Sequence, residues 1–208
     1  PWSRSSCAPR PTRKPAPAER RTSRTGNVIT GESLITDLTE AAKVRATESR
    51  ADNVEKLAQA VAVAAIKYQI LKQASGKDII FDRERALSLE GDSGPYLQYA
   101  HARAQQIVEK AKEQNVTPAV DATVEPNDLT RLLHRFPEAV EYAASHNEPH
   151  LLTNYLLEFA AAFNTWYANV HILDGTPEAA HKVALADAVR RTLKNGLWIL
   201  GIPTPEKM

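Results

Sequence analysis

The chain has 208 residues, 43% hydrophobic and 25% charged, with a single cysteine and a formal net charge of +1. That length buries a sizeable core in one or two domains; the lone Cys7 excludes an internal disulfide framework and fits a reducing compartment, and no apolar run is long enough to span a bilayer. Residues 1–50 carry ten Lys/Arg against five Asp/Glu and residues 51–208 sixteen against twenty, so the larger part is mildly acidic and unsuited to broad electrostatic binding of nucleic acid.

Residues 1–22 are rich in Pro, Arg and Ser and hold hardly any aliphatic side chains. They bury too little apolar surface to offset the entropy of ordering and read as a disordered tail. A polar loop, Ser23-Arg24-Thr25-Gly26-Asn27, leads to a turn at Gly31 and a helix expected over about 33–49. Val54, Leu57, Val61, Ala64, Tyr68 and Leu71 then recur at helical period and predict a second helix over about 51–74, stopped by Ser75-Gly76. Residues 78–81 read as a short extended or irregular link.

The next helix, expected over 94–114, starts with Asp92 or Ser93 as cap and Pro95 in its first turn, where a missing N–H costs nothing. It places Tyr96, Tyr99, Arg103 and Gln106 on one face, with Ala100, Ala102 and Ala104 between, small enough for a neighbouring helix to come close. Two phenol rings and a guanidinium in a row suit stacking on unpaired bases; the same spacing also suits a packed helix whose tyrosines are core residues.

After a loop at 115–126, Asn127 or Asp128 caps a helix with Leu129, Leu132, Leu133 and Phe136 on one face; Pro137 either starts a new segment or kinks the old one. Leu152, Tyr155, Leu156, Phe159, Phe163, Trp166 and Val170 form the strongest apolar stripe, so Tyr155 is expected in the core. Residues 174–178 form a turn with an N1 proline, and Leu185, Val189, Leu193 and Leu197 mark the last helix, ended by Gly201, Pro203 and Pro205. No strand-type alternation of any length occurs, so the fold class is all-α, a helical bundle.

Catalytic constellations are sought without result. The six histidines are scattered; none makes an H-E-x-x-H pair, and C-x-x-C, P-loop and G-x-S-x-G motifs are absent. His146 and His150 are four apart, but Pro149 between them spoils a helical metal site, and no metal is expected.

Several ordered tags resemble arginyl-tRNA synthetases. Gly91-Asp92-Ser93-Gly94-Pro95-Tyr96-Leu97-Gln98-Tyr99-Ala100-His101-Ala102-Arg103 resembles a signature near the start of their anticodon-binding domain. Ala65-Ile66-Lys67-Tyr68, Phe81-Asp82 and Ala86-Leu87-Ser88 are similar to elements upstream of it. Phe136-Pro137-Glu138, then Tyr155-Leu156, Phe163-Asn164 and Tyr167, are similar to elements downstream. The ending, Asn195-Gly196-Leu197, Leu200-Gly201-Ile202 and Pro205-Glu206-Lys207-Met208, resembles the family's C-terminus. Together the tags cover about residues 23–208.

The resemblance implies an all-α bundle of the class I synthetase anticodon-binding type over 51–208, preceded by residues 23–50 as a remnant of the catalytic-domain signature loop with a connecting helix. It implies tRNA-binding roles for Tyr96, Gln98, Tyr99, Arg103, Tyr167 and Met208. His101 also matches the signature but lies off the Tyr96–Arg103 face, as a structural residue would. Ser23 and Arg24 resemble a degenerate form of the loop that class I enzymes place beside the ATP phosphates, where cations neutralise developing charge. Where the family often has arginine in an A-R-L-x-L element, this chain has His181-Lys182-Val183 and so lacks the bidentate fork there.

The H-x-G-H half of such an active site is absent, as is the strand–helix alternation of a nucleotide-binding sheet. The expectation is therefore a C-terminal, tRNA-binding portion of an arginine–tRNA ligase, inactive alone and acting with a catalytic domain in cis. The complete enzyme would use ATP with Mg2+; this chain alone is expected to bind neither. Arginine tRNA is the expected partner, with no membrane, a monomeric state and a cytoplasmic location. The alternative is a non-catalytic helical bundle that binds other proteins.

Overall fold

A computed structural model describes residues 30–46 and 53–208; Ser23 and Arg24 lie outside them. The described residues form seven helices and no strand: α1 Gly31–Ala46, α2 Val54–Leu71, α3 Arg83–Ala86, α4 Gly94–Glu113, α5 Asp128–Ser145, α6 Pro149–Asn169 and α7 Ala179–Ile199. The all-α expectation therefore holds for them. None is long and apolar enough to cross a membrane.

Local chemistry sets the helix ends. Asn53, Asp82, Ser93 and Asn127 each accept a hydrogen bond from the backbone N–H three residues on, satisfying a donor the first turn leaves free. Three helices end alike, on a left-handed residue: Asn115 after α4, Asn147 after α5 and Gly201 after α7. At each, the following residue's N–H reaches back five residues, as in Ile202 N to Leu197 O at 2.8 Å, the double closure that ends a helix sharply. Asparagine and glycine are the residues that tolerate this conformation.

α2 is central, and its alanines let neighbours approach on more than one side. With Leu38 and Ala42 of α1, and Ala86 and Leu87 near α3, its Leu57, Ala58, Val61, Ala62 and Ala65 form one apolar cluster. Its Ala64 and Tyr68 join the larger cluster, built from α4 to α7 around Leu97, Leu156, Phe159, Phe163, Val189 and Leu193. α4 lies between α2 and α7, and α5 pairs with α6.

α3 has no counterpart in the sequence reading, because a single turn started by the Asp82 cap carries no apolar period. Pro137 neither starts a segment nor ends one: it sits within the continuous helix α5, on the exposed side where a backbone carbonyl left unpaired can be hydrated. Tyr155 is in the core as expected, 6% exposed, with its hydroxyl donating to Leu132 O at 2.7 Å.

Candidate nucleic-acid interface

Two tags upstream of α4 lock together. Tyr68 donates its hydroxyl to Asp92 Oδ1 at 2.5 Å, and Lys72 Nζ pairs with Asp92 Oδ2 at 2.8 Å. Burial alone would raise the Asp92 carboxyl, but these two partners outweigh it and hold the group below its ordinary value. Burial, helped by Asp92, pushes the Tyr68 phenol well above its usual range. Ser93 caps α4 through Tyr96 N and donates its own hydroxyl to Ser88 O. Gly94 lies flat against the Ala64 carbonyl, where a Cβ would fall 2.2 Å from the oxygen. Much of the signature thus serves to seat α4 on α2.

The functional geometry lies further along α4. Tyr99 and Arg103 stand four residues apart, and the Arg103 guanidinium carbon is 4.6 Å from the Tyr99 ring centroid and 4.6 Å from that of Tyr167 on α6. Its Nη2 donates to the Tyr99 hydroxyl at 3.0 Å and its Nη1 to Asn164 Oδ1 at 2.6 Å. A planar cation between two rings, hydrogen-bonded at two corners, leaves little freedom for either ring. Tyr167 remains 40% exposed, so one ring of the clamp meets solvent.

The clamp forms the floor of a hollow of about 380 Å3 lined by Tyr99, Ala102, Arg103, Gln106, Lys110, Tyr167 and Met208. A second hollow of about 380 Å3 shares Arg103, Gln106, Lys110 and Tyr167 and is closed by Val170, His171, Ile172 and Leu173 from the α6–α7 turn. Aromatic faces, a fixed cation, an exposed lysine and an amide side chain match what a splayed-out base needs for stacking and edge contact.

The structure brings four expected residues together, Tyr99, Arg103, Tyr167 and Met208. Tyr96 is half-buried and packs on the larger cluster, away from this hollow. Gln98 corrects the sequence expectation: it is fully buried, and its Nε2 donates to Ala60 O at 3.2 Å and to Pro203 O at 2.7 Å, so no base can reach it. Position 98 falls beside the reading face on the helical wheel, and only the partners of α4 decide that it points inward.

His101 is likewise buried, with Nδ1 3.2 Å from Pro205 O. Burial pushes its pKa down, and Arg190 and Lys194 add to the shift. Lys182 is committed inside the α6–α7 turn, 2.6 Å from Asp174 and 3.7 Å from Glu178. Its hydrogen bond, with those of Thr176, holds the Asp174 carboxyl well below the usual carboxylate range. Sequence reasoning misses Asn164 and Lys110 as site residues; Asn164 sits in a quoted tag, but a partnership with Arg103 across 61 residues leaves no local trace. Among the described residues no group of three or more His, Cys, Asp and Glu could hold a metal ion.

Comparison with known proteins agrees with the fold. The family model described as "DALR anticodon binding domain" matches residues 97–208. Arginine–tRNA ligase of Streptococcus thermophilus is 38% identical over 192 residues, covering 89% of this chain and 34% of its own. Arginine–tRNA ligase 1 of Bacillus cereus is 35% identical over 193 residues, 91% of this chain and again 34% of its own. Thermus thermophilus arginyl-tRNA synthetase superposes with a TM-score of 0.80 at 36% identity, over 87% of this chain and 32% of that one. The Plasmodium falciparum enzyme, at 23% identity and a TM-score of 0.69 over 87% of this chain and 34% of that one, shares the fold. The chain spans about a third of the length of the curated relatives it matches. The chain belongs to the DALR anticodon binding domain family and is similar to the corresponding third of arginine–tRNA ligases.

Proposed function

We propose that this chain binds the anticodon region of arginine tRNA, and that it does so as the tRNA-binding portion of an ATP-dependent arginine–tRNA ligase in the cytoplasm. The observation that carries the reading is the Arg103 guanidinium fixed between Tyr99 and Tyr167 at the floor of an open hollow. A loop base enters between Tyr167 and Met208 and stacks; Gln106 and the remaining Arg103 N–H groups meet its edge, while Lys110 lies beside the hollow for a phosphate. Stacking of this kind tolerates any base, so selectivity falls to the edge contacts and to the shape of the two hollows.

The ligation itself is not assigned to these residues. Among the described residues no group of three or more His, Cys, Asp and Glu could hold a metal ion. In this reading the chain works joined to a catalytic domain that carries out the ligation.

The test is binding of fluorescent anticodon-arm hairpins by anisotropy. The arginine-tRNA hairpin binds more tightly than hairpins of other tRNAs. Tyr167→Ala weakens it by about 1–3 kcal/mol, roughly 5- to 150-fold in Kd. Tyr167→Phe, which keeps the ring, binds as the unaltered chain does. Equal affinity for all hairpins, or indifference to Tyr167→Ala, refutes the reading.

A further inference from the structure

α4 carries two kinds of side chain toward the end of the chain. Tyr99, Ala102, Arg103 and Gln106 line the hollow, whereas Gln98 and His101 are 0% and 1% exposed and lie under the last residues. After α7 the chain turns at Gly201, whose carbonyl accepts from the Lys67 ammonium, and Ile202 plugs into the larger cluster at 2% exposed. From residue 203 onward there is no helix.

Pro203 and Pro205 remove two backbone donors from this strap, leaving their carbonyls as the groups by which it can be held. Both carbonyls are taken by α4: that of Pro203 by the Gln98 amide, and that of Pro205 by His101 Nδ1. The same Gln98 amide reaches Ala60 O, so one side chain ties the strap, α4 and α2 together. Three residues further on, Met208 walls the hollow and packs against the smaller cluster.

We infer that Gln98 and His101 are positioning residues for RNA binding: they hold residues 203–205 so that Met208 closes one wall of the Tyr99–Arg103–Tyr167 hollow. This rests on the proposed function of that hollow. Neither side chain reaches the RNA. Each acts by an oriented donor with a single geometry. An apolar residue of similar size fills either space and releases the strap. His101 serves only when neutral, donating from Nδ1, because its buried Nε2 has no partner and the cations Arg190 and Lys194 on α7 face the ring, with only Glu206 on the strap opposing them.

Met208 is the single methionine of the chain, so selective methyl-13C labelling gives one NMR signal for the strap. In the unaltered chain that signal is displaced from the free-methionine position by the Tyr99 and Tyr167 rings. Gln98→Leu and His101→Leu move it to the free position while the far-UV spectrum stays helical. His101→Asn, whose amide nitrogen takes the place of Nδ1, keeps it displaced. The Leu variants and Met208→Ala each weaken hairpin binding about tenfold, and Gln98→Leu combined with Met208→Ala weakens it no further. Should Gln98→Leu unfold, Gln98→Asn withdraws the amide by one methylene and carries the same test. A folded Leu variant with an unmoved methyl signal, or additive losses in the double variant, overturns the positioning role. Failure of the unaltered chain to bind any hairpin instead overturns the reading of the hollow, and is a separate result.

Discussion

Gly94→Ala tests whether the signature glycine is there for packing. A Cβ at this position falls 2.2 Å from the Ala64 carbonyl oxygen, 2.6 Å from its carbon and 3.0 Å from Tyr68 Cβ. A carbon–oxygen contact relaxes at about 3.3 Å, so α2 and α4 must part by about 1 Å, because neither the carbonyl nor a Cβ can rotate away. Overpacking of this kind costs about 1–3 kcal/mol. Loosening the Gln98–Ala60 and Tyr68–Asp92 hydrogen bonds between the same helices adds about 1 kcal/mol. At about 2–4 °C per kcal/mol for a chain of this size, the Tm falls by roughly 4–16 °C. Two controls calibrate the effect. Gly196→Ala meets Leu156 Cδ2 at 2.5 Å, a methyl that can swing aside, and Gly31→Ala meets nothing within 4 Å. Thermal melts followed by circular dichroism therefore rank Gly31→Ala near the unaltered chain, Gly196→Ala below it and Gly94→Ala lowest. A Gly94→Ala variant melting within about 2 °C of the unaltered chain refutes the packing argument.

Stability depends on pH in two separate windows. His101 has its pKa pushed down by burial, so the unfolded chain binds its proton first. Its contribution is complete above about pH 6.5 and is lost as pH falls from there toward the folded value, at no more than about 1.4 kcal/mol per pH unit. Denaturant titrations from pH 7.5 to 5 show this slope, and His101→Asn removes it; an unchanged slope in that variant assigns it elsewhere. Asp92, Asp174 and Asp187 have lowered pKa values, so their contribution is present above about pH 4 and is lost below it, in a second acid transition. Salt gives the other check. Lys110 lines the hollow and Lys207 a neighbouring one that shares Gln106 and Lys110 with it, and two or three phosphate contacts to a single-stranded loop give a slope of log Kobs on log salt of about −1.4 to −2.1. A slope steeper than about −4 means a broad basic surface that the acidic bundle does not offer.

What the sequence discloses follows the range of the interactions. The i, i+4 pairing of Tyr99 with Arg103 is local, and one helix suffices to see it. The caps at Ser93 and Asn127, each one of two candidates in the sequence, are legible for the same reason; the Asn53 cap, inside the span expected for the second helix, is not. His101 reads as structural because it lies off the Tyr96–Arg103 face, but Gln98 does not, since one residue along a helix turns by 100° and only the neighbours α2 and the C-terminal strap decide that it points inward. Asn164 contributes to the clamp from another helix, and Tyr167 is a candidate through resemblance, not spacing. α3 escapes for a different reason, since a single turn has no period; at Pro137 the sequence leaves open a new segment or a helix that runs on, and α5 runs on because a proline on an exposed face breaks no packing. The reading of the signature changes most. Asp92, Ser93, Gly94, Gln98 and His101 build the bundle, which leaves Tyr99, Ala102 and Arg103 as its members that line the hollow.

Under the proposed function, that division is what lets an acidic bundle bind RNA. Long-range attraction is weak here, so affinity must come from contacts that need little ordering when the ligand arrives. Arg103 meets this demand because its planar fork serves two rings and two hydrogen bonds at once. A lysine ammonium could cover one ring or meet Asn164, but not hold both tyrosines in register. The entropy of fixing Tyr99 and Tyr167 is met in folding, before any base is bound, and the charge stays at the floor of the hollow. Met208 is the remaining movable wall, and its strap is held by two buried donors whose only partners are backbone carbonyls. Under that proposal, binding strength depends as much on residues the RNA never touches as on those it does.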